Sequence, residues 1–155
     1  MPPSRLPDLD RETERRLAAG LYGEVWRLME IPKRLPEQDD EMLHAAHASR
    51  YHWGKGGQSV NLARGEWLCS RVYAVLGRPE PAVWHARRCL ELLTEFGSGE
   101  TWDLAAAYEA LARAHLVAGN RAETKTWLAM ANEALKLIPD EDDRRPIEAD
   151  LATIK

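Results

Sequence analysis

Phenylalanine occurs once in this 155-residue sequence and cysteine twice. β-Branched residues are also scarce, and the apolar content is mostly leucine and alanine, which disfavours sheet and favours helix. Cys69 and Cys89 are too few, and too embedded in apolar helical pattern, to form a disulfide framework. No apolar run approaches membrane-spanning length, and the opening "MPPSRLPDLDRETERR" lacks the apolar core of a signal peptide. The expected location is therefore the cytoplasm. Positive charge is not in excess either: 21 basic side chains against 25 acidic ones leave a net charge of -4. That excludes bulk attraction to nucleic acid or to an anionic membrane. The His-Glu-x-x-His arrangement and cysteine pairs at zinc spacing are missing, and "GKGGQS" lacks the P-loop order and reads as a turn.

What is present is the composition of a folded protein, 45% hydrophobic and 30% charged, in a length that fits one domain, 1–155. Asp8 or Asp10 caps a first helix reaching about Glu30, with Leu17, Leu21, Val25 and Leu28 spaced for one face. "IPKRLPEQDD" cannot stay helical across two prolines. A second helix follows from about Gln38 to Trp53, and "GKGGQ" ends it. The third runs from about Val60 to Leu76, the fourth from Glu80 to Phe96, the fifth to Gly119 and the sixth from Arg121 to Leu137. "DEDDRRP" reads as a charged turn before a short terminal helix. The expected fold is all-α, with six or seven helices in antiparallel hairpins over 8–53, 60–96 and 101–138 and a C-terminal cap over 143–155.

The hairpins repeat. "AVLGRPEPA" and "HLVAGNRAE" each place a glycine at the end of one helix and open the next within a few residues. Aligning Gly77 with Gly119, 42 residues on, pairs Ser70 with Ala112 and Cys89 with Ala131. Small residues at matched places let helix axes approach, and the terminal glycine permits the left-handed cap that turns the chain back. On these residues the stretch 63–138 resembles tetratricopeptide repeats, with Ser70, Tyr73, Leu76, Gly77, Ala82 and Cys89 in the first hairpin and Ala112 and Gly119 in the second. The second hairpin departs at His115 and Thr124, and the spacing exceeds the roughly 34 residues of the family. The whole string, with "MLHAAHASRYHW" and "ARGEWLCSRVYAVLGR", is also similar to a set of uncharacterised bacterial proteins. The resemblance implies a stacked array whose inner face holds a peptide segment.

Two groups of residues are candidates for a site. Arg64, Trp67 and Arg71 fall at i, i+3 and i+7 on the third helix and share a stripe, with Glu109 and Arg113 at the aligned places of the fifth. Facing a groove, they make a partly basic surface whose guanidiniums grip a carboxylate or phosphate beside the Trp67 indole. Facing inward, the arginines pair with Glu66, Glu109 or other acids. The second group is Glu41, His44 and His47 on the second helix with His85 on the fourth. Glu41 and His44 have the Glu-x-x-His spacing of bundle metal sites, but no second such pair exists. The alternative is half-buried histidines bonded to neighbouring acids. The six tryptophans read as scattered packing residues, and both cysteines as core thiols.

Three functions follow, in order. The first is a non-enzymatic adaptor or scaffold that binds a peptide or protein partner through the groove, with no cofactor. The second is a small metal-dependent enzyme or metal-binding protein using the histidines and a divalent ion. The third is a self-associating structural module, a homo-oligomer.

Overall fold

Every helix in this chain begins or ends on a residue whose chemistry stops it. Asp10 accepts the Thr13 N–H at 2.9 Å and starts α1 (Arg11–Met29). Proline opens α2 (Pro36–Gly56) and α4 (Pro79–Phe96), where its missing N–H costs nothing. Asn120 caps α6 (Arg121–Leu135), and Asp140 caps α7 (Glu141–Ala152) through the Asp142 N–H at 2.8 Å. Between them lie α3 (Ser59–Val75) and α5 (Asp103–Val117). The computed structural model describes residues 1–155 and contains these seven helices and no strand.

The repeat holds at atomic detail. Gly77 and Gly119 have φ of 69° and 73°, in the left-handed region. At each, the N–H of the following residue reaches back five positions, Arg78 to the Tyr73 carbonyl at 2.8 Å and Asn120 to the His115 carbonyl at 2.9 Å. Both α3 and α5 therefore end in the same hydrogen-bonded cap, 42 residues apart. The paired small residues Ser70, Ala112, Cys89 and Ala131 are all buried. Ser70 also donates its hydroxyl to the Ala82 carbonyl at 2.8 Å, tying α3 to α4.

The helices pack as antiparallel pairs, α1 with α2, α3 with α4 and α5 with α6, and successive pairs stack through α2–α3 and α4–α5. α3 also touches α5 directly, and α7 lies against α5 and α6. One apolar cluster joins the first two pairs around Val25, Leu28, Met42, Leu68 and Val72. A second joins α5, α6 and α7 around Ala105, Ala131, Ile147 and Leu151. Each large side chain removed from water this way contributes on the order of 1.5–3 kcal/mol. The middle of the stack is mostly alanine: Ala82, Ala86, Ala110 and Ala114 bring α4 and α5 close. No helix is long and apolar enough to cross a membrane.

Three local expectations change. The buried stripe of α1 is Ala18, Val25 and Leu28, while Leu17 is exposed, because Ser49 donates to the Ala18 carbonyl at 2.8 Å and draws α2 onto that side. α2 continues through Gly54, Lys55 and Gly56 rather than ending before them. A Cβ at Gly56 would meet the Arg11 carbonyl oxygen and the Glu14 Cβ at 2.8 Å, so the glycine is there for close approach to α1. The "EDD" of the charged turn is the first turn of α7, where acidic side chains complement the helix dipole.

Candidate functional site

The inner helices α1, α3, α5 and α7, with part of α4, enclose a cavity of about 370 Å³. Trp67 lines it from α3. Its neighbours are Tyr22 and Trp26 of α1, Trp102 at the start of α5, and Leu93 of α4. Trp26 stacks on Trp67 with ring centroids 6.0 Å apart and planes inclined by 28°. Three of the six tryptophans therefore converge here, contrary to the expected scatter. Residues 26, 67 and 102 lie on three different helices, so no spacing along the chain announces the convergence.

Trp67 carries the most unusual atom of the site. Its Nε1–H is buried and has no hydrogen-bond acceptor, the only buried side-chain polar atom of which this is true. A buried, unpaired donor costs roughly 1–3 kcal/mol. Burial also pushes the Tyr22 phenol and the Cys89 thiol, both facing the same cavity, up to about 12. Neither is ionised near neutrality.

The expected arginine stripe is assembled but engaged. Arg64 donates from Nε and Nη2 to the two oxygens of Asp103, each at 3.0 Å, and lies over the Trp102 ring at 4.5 Å. Arg71 reaches Glu109 at 3.4 Å and Asp150 at 3.0 Å. Arg113 bonds Glu109 at 2.6 Å and the Asp150 carbonyl at 2.9 Å. Burial raises the Glu109 carboxyl against the pull of Arg113 and then Arg71. Of the five stripe residues, Arg64, Trp67 and Glu109 line the cavity. Arg71 and Arg113 instead fasten α7 across α3 and α5, which corrects the expectation of guanidiniums free to grip an anion.

Sequence reading missed the acids of α7. Asp150 lines the cavity beside the buried Asp103 and Glu109, and the exposed Asp142 and Asp143 stand at its edge, so five carboxylates and one guanidinium line it. The surface is acidic rather than partly basic.

The second candidate group is divided. Glu41 and His44 are exposed on α2. His47 and His85 do meet, with ring centroids 5.2 Å apart, but in a different constellation. His47 Nε2 bonds the Tyr73 hydroxyl at 2.9 Å, and Tyr73 stacks on His85 within 9° of parallel. His85 donates Nδ1–H to Glu66 at 2.6 Å, and Arg50 holds the other Glu66 oxygen at 2.9 Å. Burial, then the adjacent His85, lowers the His47 pKa. Burial opposes ionisation of Glu66, but His85 and Arg50 together outweigh it and hold the carboxyl below its ordinary value.

Gly65 makes room for Arg50, whose Cδ would sit 2.9 Å from a Cβ there, a role the sequence did not signal. Nearby Cys69 is 3.9 Å from His47 Nδ1, yet burial lifts its thiol to about 12, so it is not an activated nucleophile. No group of three or more histidine, cysteine, aspartate or glutamate side chains is placed to hold a metal ion. The histidines are bonded as ties between α2, α3 and α4. Comparison with known protein families, with curated proteins and with solved structures finds no match for this chain.

Proposed function

We propose that the protein is a non-enzymatic helical-repeat adaptor of tetratricopeptide-like organisation that holds a segment of a protein partner in the cavity beside Trp67. The observation that carries this reading is the cavity of about 370 Å³ between α1, α3, α5 and α7 with its aromatic lining of Tyr22, Trp26, Trp67 and Trp102. At about 370 Å³ the cavity lies at the small end of the roughly 300–1,000 Å³ of ligand pockets. That suits one or two side chains of an extended segment. The raised thiol and phenol argue against Cys89 or Tyr22 acting as a nucleophile at the same place. Two unbonded, buried cysteines suit a reducing compartment, in keeping with work in the cytoplasm.

Selection from a displayed library of random dodecapeptides tests the reading. Ala106 lines the cavity and is only half-buried, so Ala106→Phe fills the space from one wall. The wild type is expected to enrich a peptide family that a folded Ala106→Phe variant does not bind. Equal enrichment by both proteins, or none by either, would overturn the adaptor reading.

A further inference from the structure

The two sides of the cavity differ in chemistry. One is aromatic, from Tyr22, Trp26, Trp67 and Trp102. The other is acidic, and its carboxylates are not equally engaged. Asp103 is taken by Arg64, and Glu109 and Asp150 by Arg71 and Arg113. Asp143 has no ion-pair partner, and the only one near Asp142 is Arg145 at 3.9 Å. No lysine lines the space, and its single guanidinium is already bonded through Nε and Nη2 to Asp103. An anionic ligand meets uncompensated carboxylates here. A cation meets indole faces, whose quadrupole attracts it, and then free carboxylates.

Resting on the groove reading above, we propose that the cavity selects a basic segment. It receives the lysine or arginine side chain of an extended partner peptide. The hydrocarbon stem lies along Trp26 and Trp67, and the charged end approaches Asp142 and Asp143. The apolar stem explains why aromatic surface and acidic surface share one small space. The same carboxylates turn away acidic segments, which gives the site a sign as well as a shape.

The composition of the selected peptides tests this. Lysine or arginine is expected at one fixed position of the family enriched by the wild type. Replacing that residue by norleucine in a synthetic copy should weaken binding about two- to fivefold, the worth of one exposed cation–π and ion-pair contact. The Asp142→Asn/Asp143→Asn variant should lose most of that preference while binding the norleucine copy as the wild type does. Raising salt should shrink the preference in the same way. Enriched peptides without a fixed basic residue would overturn the selection of cations and leave the groove standing. An absence of any family specific to the open cavity would overturn the groove reading itself. Competition by N-acetyl-lysinamide as effective as by the whole peptide would overturn a peptide as the occupant.

Discussion

Arg64 of α3 and Asp103 of α5 are joined by two parallel hydrogen bonds of 3.0 Å, and the same carboxylate accepts the N–H groups of Gly99 and Glu100 at 3.0 and 2.8 Å. One aspartate thus ties two repeats together and shapes the link between α4 and α5. It also fixes Trp102 beneath the guanidinium, at the edge of the cavity.

Asp103 is almost fully buried, so removing its partner leaves a carboxylate with only two backbone donors. Arg64→Ala should cost about 2–3 kcal/mol of folding stability, and Arg64→Lys a good part of it, since lysine cannot reproduce the paired geometry. Urea denaturation measures both. Equal stability of the wild type and Arg64→Ala would show that the pair is not structural.

The glycines should separate by conformation. At Gly77 and Gly119 the positive φ forbids a Cβ cheaply, and alanine should cost about 1–2 kcal/mol at each. Gly23 sits in the exposed face of α1 with nothing within 4 Å of a built Cβ, so Gly23→Ala should stabilise by about 0.5–1 kcal/mol. The same denaturation series reads all three. A common sign for the three would refute the cap geometry.

The Glu66–His85–Tyr73–His47 constellation predicts a pH dependence of one sign. His47 is lowered below 6.5 by burial and then by His85, and His115 is lowered by burial. The unfolded chain therefore takes up protons first, and stability is complete above about 6.5 and declines as pH falls below it. Glu66, held below 4.5, adds a further loss as pH falls through its folded value. The melting temperature should drop on going from pH 7 to pH 5.5, and less so in His47→Gln, which keeps a bond to Tyr73 without titrating. An unchanged or rising melting temperature would contradict the burial assigned to His47.

Glu41 and His44 are exposed, and no group of three or more histidine, cysteine, aspartate or glutamate side chains is placed to hold a metal ion, so divalent metal should find no assembled site. Zinc chloride in excess should leave the melting temperature unchanged, because a ligand stabilises only by its preference for the folded state. A rise that disappears in His47→Gln would revive the metal reading.

Much of the fold was legible because it rests on local chemistry. Gly77 and Gly119, the prolines at 36 and 79, and the matched small residues at 70, 112, 89 and 131 state their roles within a few positions of the chain. The site was legible only in part. The spacing of Arg64, Trp67 and Arg71 found a shared stripe, but spacing carries no information on which distant carboxylate meets each guanidinium. Asp103, Glu109 and Asp150 reach that stripe from 38 or more residues away. The aromatic wall was hidden for the same reason. Asp142 and Asp143 were read as a turn because Pro146 masked a helix that survives a proline in its interior.

The indole Nε1–H resonance of Trp67, observed by ¹⁵N-edited NMR while a selected peptide is added, tests the central claim most directly. The free protein has no acceptor for this proton, whereas the Nε1–H of Trp127, in another part of the stack, is already bonded to Glu123 at 3.0 Å. The groove reading predicts that the Trp67 signal shifts in proportion to the bound fraction, while the Trp127 signal stays in place. A bound peptide that leaves the Trp67 signal unmoved would contradict it.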